Sequence, residues 1–155
     1  MSSQVIRLGC DPGGTTGVAI FRGTTLIHSD AIGGALEGFK EWWYESGHLA
    51  GVQEIVSEQF IPSRGFRGLD QTHSLLIEGA IQMAWDGPFM LQLPAQKATL
   101  IKQHDTGDKG ERERKEWLAS KGLHFETTHA MDAATHVLVE RKKARDMAFW
   151  KRYWK

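Results

Sequence analysis

Two apolar runs near the start of the chain are separated by a group of turn-forming residues. The first run, residues 5–10, ends at Asp11, and the second begins at Val18. This pattern predicts two antiparallel strands joined by a tight turn. Proline presets one dihedral and glycine adopts backbone angles closed to other residues, so the turn leaves open space beside the Asp11 carboxylate. A metal ion or a phosphate fits there, although a hairpin aspartate can also simply bond turn amides. The turn formers are Pro12, Gly13, Gly14 and Gly17.

Strand and helix patterns alternate along the rest of the chain. A short β-rich run follows the second strand, and the later strands are separated by stretches with apolar residues at helical spacing. Because a strand reached through a helical crossover runs parallel to its partner, we predict an α/β fold with a five-stranded mixed sheet, antiparallel in its first three strands and parallel among the first, fourth and fifth. The expected elements are strands at 5–11, 18–21, 24–29, 54–60 and 89–93 and helices at 35–45, 71–85, around 100–101, 111–121 and from 129.

Composition indicates a globular protein with one domain. The 155 residues are 41% hydrophobic and 25% charged, which is enough for a real core. No apolar run approaches the roughly 20 residues of a membrane span, and no signal-peptide pattern opens the chain. We therefore expect a cytoplasmic protein without membrane contact, folded as a single domain over residues 1–155. The single cysteine, Cys10, lies in an apolar strand, which excludes an internal disulfide and favours a packing role.

Charge is distributed unevenly, although the net charge is zero. Residues 1–140 carry 12 Lys and Arg against 18 Asp and Glu, whereas residues 141–155 carry 7 against 1. An acidic body with a basic end is typical of a protein that meets a polyanion through one region, and a solvated terminal helix gives the same pattern. The tail also interleaves cations with aromatic residues, which suits base stacking with phosphate contact. An apolar stripe against the body or a dimer partner is an equal alternative, since Met147, Trp150 and Trp154 have helical spacing.

A second carboxylate has the same position relative to its strand as Asp11. Glu58 lies at the end of the fourth predicted strand, and loop residues follow it. If the first and fourth strands are neighbours, about 4.8 Å apart, both carboxylates reach one ion. A charged side chain in a central strand also needs a partner, because unpaired burial is costly. A strand-end glutamate that faces solvent is the alternative.

The last predicted helix carries two histidines and a carboxylate on one stripe. His129, Asp132 and His136 lie at i, i+3 and i+7, and small alanines between them let the helix approach the sheet closely. Such a stripe is uncommon on a purely structural helix. A structural interpretation stays open, in which Thr128 caps the helix, the helix dipole favours Asp132, and each histidine is a hydrogen-bonded packing residue.

Three motifs together carry a family resemblance. They are Asp11-Pro12-Gly13 at the end of strand one, Ser57-Glu58-Gln59 at the end of strand four, and His129-x-x-Asp132-Ala133 at the start of the last helix. In this order they resemble the RuvC-type Holliday junction resolvases of the ribonuclease H-like superfamily, including phage-encoded members, over nearly the whole chain. The resemblance implies a ribonuclease H-like fold and a metal-dependent endonuclease that resolves four-way junctions and other branched DNA in a bacterial or phage-infected cell.

The resemblance also implies the residues of the site. The ligands of two Mg²⁺ ions are Asp11, Glu58, His129 and Asp132. His136, in an Asp-Ala-x-x-His pattern similar to that of related phage enzymes, is a second candidate for the catalytic histidine, and the choice between the two histidines stays open. Two ions about 4 Å apart activate water for attack on a phosphodiester and stabilise the leaving oxygen. Oxygen ligands suit Mg²⁺, an imidazole makes Mn²⁺ an acceptable substitute, and no Cys/His spacing favours zinc.

Basic and aromatic residues near this site are the candidate DNA contacts. Lys97 and Lys109 match family lysines by position, and the loop after Glu58 offers cations and a phenylalanine that would wedge against unstacked bases. Ordinary surface is the alternative for these loop residues. Because a junction has two symmetric strands, we expect a homodimer, with helix 71–85 or the tail in the contact. The predicted DNA contacts are Arg64, Phe66, Arg67, Lys97, Lys102 and Lys109.

Other classes of protein share part of the pattern. Actin-like and sugar-kinase ATPases open with a phosphate-binding aspartate turn that residues 13–17 resemble, but they need a second domain for which 155 residues leave no room. A general ribonuclease H-like nuclease without junction selectivity is the nearer alternative. A DNA-binding module without nuclease activity is disfavoured, because every residue of the expected cluster is present.

Overall fold

Strands and helices follow one another in the expected order. The computed structural model describes residues 4–62, 69–102 and 107–155, with the backbone alone at 69–71. The strands are β1 (Ile6–Asp11), β2 (Thr16–Arg22), β3 (Thr25–Ile32), β4 (Val52–Glu58) and β5 (Phe89–Gln92). The helices are α1 (Ala35–Glu45), α2 (Leu69–Ala84), a 3₁₀ helix (Pro94–Leu100), α3 (Asp108–Ser120), α4 (Thr128–Lys143) and α5 (Met147–Tyr153).

The described strands form one mixed sheet in the order β3-β2-β1-β4-β5. The pairs β1–β2 and β2–β3 are antiparallel, whereas β4 is parallel to both β1 and β5. The predicted five-stranded mixed sheet is confirmed. β3 runs beyond its predicted end at residue 29, because its ladder with β2 continues until Ile32 lies opposite Thr16.

Helices cover both faces of the sheet and form two apolar cores. α4 and α5 bury Phe21, Val137 and Phe149 on one face, and α1 and α2 bury Ile20 and Ile81 on the other. Neighbours along β2 belong to different cores because successive side chains of a strand point to opposite faces. Burial of each large apolar side chain contributes about 1.5–3 kcal/mol. The free thiol of Cys10 is buried in the α1–α2 core, which confirms its packing role.

Two glycines let α4 lie directly against the sheet. A Cβ atom at Gly9 would collide with the backbone of α4, and one at Gly17 would collide with the main-chain oxygen of His129. The sequence analysis expected the glycines of this turn to use backbone angles closed to other residues. That expectation is wrong, since Gly13, Gly14 and Gly17 all lack a positive φ. Gly17 is needed for close backbone approach rather than for an unusual dihedral.

Several helix ends differ from the prediction by a few residues. The cap of α4 is Thr127, whose hydroxyl accepts a hydrogen bond from the Ala130 amide at 3.2 Å; Thr128 instead donates to a carboxylate of α3. α3 begins at Asp108, three residues before its predicted start. The short helix expected around residue 100 is a 3₁₀ helix that begins at Pro94, where the fixed φ of proline suits a first turn.

The basic tail folds as a short helix against the body. α5 buries Phe149 and Tyr153, one helical turn apart, and the Tyr153 hydroxyl donates to a main-chain oxygen of the β2–β3 turn. Of the predicted stripe, only Trp154 packs against the body, whereas Met147 and Trp150 are exposed. The alternative that the stripe contacts a dimer partner stays a prediction. Among the described residues, no helix has the length and apolar character that a bilayer crossing requires.

Candidate active site

Asp11 and Glu58 lie side by side at one edge of the sheet. Asp11 ends β1 and Glu58 ends the neighbouring parallel strand β4, and the residues before them, Cys10 and Ser57, are paired in the ladder. Parallel strands in register bring their next residues to the same level, about 4.8 Å apart. Both carboxylates line an open pocket of about 390 Å³, together with the turn that follows β1.

The first turns of α4 bring His129 and Asp132 to the same edge. His129 Nδ1 lies 3.4 Å from Asp11 Oδ2, and the His129 side chain is half exposed and lines the pocket. The hydrogen bond with Asp11 raises the pKa of His129. Asp132 is buried, and its Oδ2 accepts a hydrogen bond from Lys97 at 2.7 Å. The two strand ends and α4 thus place three carboxylates and one imidazole together.

The ammonium of Lys97 lies between two of these carboxylates. Nζ is 3.0 Å from Glu58 Oε2 and 2.7 Å from Asp132 Oδ2, and the lysine side chain is only 14% exposed. Lys97 belongs to the 3₁₀ helix that packs along α4. Burial alone would lower the pKa of Lys97, but the attraction of Asp132 and Glu58 raises it. Lys97 was predicted as a DNA contact, and the structure places it inside the carboxylate cluster.

A buried chain of hydrogen bonds supports Glu58 from behind. His136 is completely buried; its Nε2 lies 2.8 Å from Glu58 Oε2 and its Nδ1 lies 2.9 Å from Gln92 Oε1. Gln92 donates from Nε2 to Glu140 Oε2 at 3.1 Å, which fixes the orientation of its amide. The two ring nitrogens are thus held between Gln92 and Glu58. The buried ring positions Glu58 and does not face the pocket.

The two strand-end carboxylates have pKa values displaced in opposite directions. Burial raises the pKa of Asp11; the hydrogen bond from His129 offsets part of this rise, and repulsion from Glu58 and Asp132 adds to it. Burial also acts to raise the pKa of Glu58, but the hydrogen bond from His136 and the nearby ammonium outweigh it, so this pKa is lowered. An additional cation near Asp11 would therefore stabilise the site.

The donor set fits a hard divalent cation. Carboxylate oxygens with one neighbouring imidazole suit Mg²⁺ or Mn²⁺. The buried Oδ1 of Asp132 has no hydrogen-bond partner in the described part of the chain, and the guanidinium of Arg114 lies 3.9 Å from it. Among the described residues, no three His, Cys, Asp or Glu side chains already converge on one ion position, and Lys97 Nζ separates two of the carboxylates.

Two buried polar residues at the site were not found from the sequence. Gln92 ends β5 opposite Glu58 in the ladder, so the strand-end argument that singled out Glu58 would also have found it. Arg114 is 2% exposed and lies in the charged stretch that forms α3, where nothing in the pattern separates it from its exposed neighbours. Arg114 belongs to the site only because α3 packs beside Asp132, which is a contact between distant parts of the chain.

The other predicted DNA contacts are spread over the molecule. Lys109 is 74% exposed in the first turn of α3 and lies 3.9 Å from Glu113 Oε1. Lys102 is exposed and lies near Lys142, toward the far end of α4; burial, together with the charge of Lys102, lowers the pKa of Lys142. The remaining three, Arg64, Phe66 and Arg67, lie outside the described residues.

The fold is similar to that of RuvC from Thermus thermophilus. The structure of T. thermophilus RuvC in complex with a Holliday junction substrate matches with a TM-score of 0.65 at 18% sequence identity, covering 93% of this chain and 98% of that chain. A second T. thermophilus RuvC structure matches with a TM-score of 0.61 at 17% identity over the same shares. No protein-family model and no curated protein matches the sequence. The chain thus has the ribonuclease H-like fold of T. thermophilus RuvC.

Proposed function

We propose that the protein is a metal-dependent endonuclease that cuts branched DNA, with the four-way Holliday junction as its main substrate. The observation that carries this proposal is the meeting of Asp11, Glu58 and Asp132 at one sheet edge beside an open pocket. The fold is shared with RuvC, which has been seen in complex with a Holliday junction substrate. A hard-cation site open to solvent suits phosphodiester hydrolysis.

The cation would be Mg²⁺, with Mn²⁺ as a substitute, held by Asp11, Glu58, His129 and Asp132. When bound, a pair of such ions supplies an activated water and stabilises charge at the leaving oxygen. The protein's own contribution is to hold the carboxylates in place. Close contact between α4 and the sheet sets the position of Asp132, and the buried His136 ring fixes the direction of Glu58.

The two histidines have different roles in this proposal. His129 lines the pocket and is half exposed, so it has access to a phosphodiester or an ion there. Its hydrogen bond with Asp11 raises its pKa, because that bond stabilises the protonated ring. His136 has no exposed surface and acts through Glu58. We assign the direct role to His129 and a positioning role to His136.

A homodimer formed through α2 is part of the proposal. The outward face of this helix exposes Leu75, Leu76 and Met83, and nothing lies within 4 Å of a Cβ built at Gly79. An exposed apolar stripe around a small residue suits close packing against a second helix. A two-fold dimer presents two equivalent sites, which matches the two symmetric strands that are cut in a four-way junction.

A cleavage assay on matched substrates tests the proposed function. A four-way junction, a fork and a linear duplex of the same arm sequence are each incubated with Mg²⁺, Mn²⁺ or EDTA. We expect the junction to be cut at least about tenfold faster than the duplex and no cleavage in EDTA. Asp11→Asn is the matched inactive variant, because it removes an oxygen ligand and no DNA-binding cation.

The substrate panel separates the alternatives. Equal rates on junction and linear duplex at physiological salt would indicate a general ribonuclease H-like nuclease with the same metal site. No cleavage of any substrate by the wild-type protein with either metal would refute the nuclease proposal.

A further inference from the structure

Helix α2 is bonded to both of the turns that follow the carboxylate-bearing strands. The Ser74 hydroxyl donates to the main-chain oxygen of Pro12 at 2.7 Å, one residue past the end of β1. Glu78 Oε2 accepts a hydrogen bond from the Phe60 amide at 2.9 Å, two residues past the end of β4. Ser74 and Glu78 are four positions apart, so one face of α2 holds both turns.

Glu78 is an unusual residue for this position. It is 9% exposed, and its second oxygen accepts a hydrogen bond from Gln82 Nε2 at 3.3 Å. A buried carboxylate is costly unless its oxygens are satisfied. No ion pair of Glu78 occurs within the described ranges, where its partners are one main-chain amide and one neutral side chain. The buried Glu78 carboxylate provides a fixed hydrogen-bond acceptor for the segment after β4.

We propose that Ser74 and Glu78 are positioning residues that set the spacing of Asp11 and Glu58, and through it the affinity of the site for a divalent cation. This inference rests on the proposed function. The β1–β4 ladder ends one residue before the two carboxylates, so no β1–β4 pair joins them directly. The two bonds from α2 provide a connection between the turns beyond that point.

The expected consequence follows from the rigidity of metal sites. Mg²⁺ and Mn²⁺ sites need oxygen ligands at fixed distances, and residues outside the ligand set control those distances through hydrogen bonds. Loss of either α2 bond frees one turn to move relative to the other. The cation affinity and the metal concentration for half-maximal cleavage would change, while the KM for junction DNA would stay nearly constant.

Calorimetric titration of the 155-residue chain with Mn²⁺, without DNA, tests the inference. Glu78→Leu removes the acceptor at similar volume, and Glu78→Gln retains one acceptor oxygen. Ile81→Val, a core change on the same helix, reports the effect of a loss of stability alone. We expect the Mn²⁺ affinity to fall at least about tenfold in Glu78→Leu and to stay within about threefold in the other two variants.

A second pair of variants covers the case in which Glu78→Leu does not fold. Ser74→Ala removes the hydroxyl that bonds Pro12, and Ser74→Thr restores one, so Ser74→Ala should show the weaker Mn²⁺ binding of the two. Equal Mn²⁺ affinity in the folded Leu, Ala and wild-type proteins would overturn the positioning role and leave the proposed function intact. Absence of Mn²⁺ binding by the wild-type protein would overturn the metal site itself, and this inference with it.

Discussion

Asp11 and Glu58 end neighbouring strands of one sheet, yet their surroundings are opposite. Glu58 has two close partners, the His136 ring at 2.8 Å and the Lys97 ammonium at 3.0 Å. Among the described residues, Asp11 has one side chain this close, the half-exposed His129 ring at 3.4 Å, and the Lys97 ammonium acts on it only through its charge. The pKa of Glu58 is accordingly lowered and that of Asp11 raised.

This difference indicates how the two carboxylates share their task. Glu58 is already compensated and held in one direction by buried groups, so it provides a fixed ligand whether or not a cation is present. Asp11 is desolvated without comparable compensation, and its negative charge is the one that an entering cation would stabilise most. The comparison fails if neutral substitution of the two residues changes the stability of the metal-free protein in the same direction.

The largest expected effect is on cleavage. Asp11→Asn and Glu58→Gln should each lower kcat on a junction by roughly 10³-fold or more, because each removes an oxygen ligand from a site whose members act together. Binding of junction DNA, measured in EDTA by electrophoretic mobility, should stay within a few-fold of wild type, since no cation is lost. Full activity in either variant with metal present would remove that residue from the site.

Substitution of His129 should mainly lower the cleavage rate, whereas substitution of His136 should mainly lower the stability of the fold. His129→Ala removes an exposed side chain from the pocket, and we expect kcat to fall by about 10²-fold with little change in melting temperature. His136→Ala leaves a cavity, removes the partner of the buried Gln92 Oε1 and removes one of the two partners of Glu58 Oε2, which should cost about 2–4 kcal/mol of unfolding free energy. The measurements are single-turnover cleavage and chemical denaturation of both variants. Equal small rate losses with unchanged stability would contradict both assignments.

Metal binding should stabilise the wild-type protein against unfolding, and this gain should depend on Asp11. At a metal concentration near 100 times Kd, binding to the folded state adds about 2.7 kcal/mol, which raises the melting temperature of a protein of this size by about 5 °C or more. Mn²⁺ should produce this rise in the wild-type protein and little or none in Asp11→Asn. Ile81→Val, which leaves the site unchanged, is the control. A similar rise in Asp11→Asn would show that the cation does not depend on Asp11.

The parts of this comparison that concern strand positions were predictable from the sequence. A helical crossover makes β4 parallel to β1, and both strands end on an acidic residue, so Asp11 and Glu58 had to meet at one edge once the strands were neighbours. His129 and Asp132 are three residues apart in a predicted helix, so their spacing alone placed them on one stripe.

The electrostatic difference was not predictable, because it depends on contacts between distant parts of the chain. Lys97 is 35 residues from Asp132, and Gln92 is 44 residues from His136. A lysine or glutamine in a short segment carries no periodic signal that tells whether it points inward. The role of Gly17 was misjudged for the same reason, since it depends on how closely α4 approaches β2.

The smallest expected effect, and the sharpest test of the comparison, is the pH dependence of stability in EDTA. Asp11 has a raised folded pKa, so its charge costs stability above its unfolded pKa near 4, and this cost is relieved as the pH falls through the folded value. Asp11→Asn should therefore melt higher than wild type at pH 7, and the gap should close toward pH 4.

Glu58 has a lowered folded pKa, so its stabilising charge is fully present above its unfolded pKa near 4.5 and is lost only as the pH falls below that value. Glu58→Gln should melt lower than wild type at pH 7, and this deficit should persist down to pH 4.5. Thermal melts of the three proteins at half-unit steps from pH 7 to pH 4 measure both gaps. Two gaps of the same sign at pH 7 would show that the opposite surroundings of Asp11 and Glu58 do not control their charge.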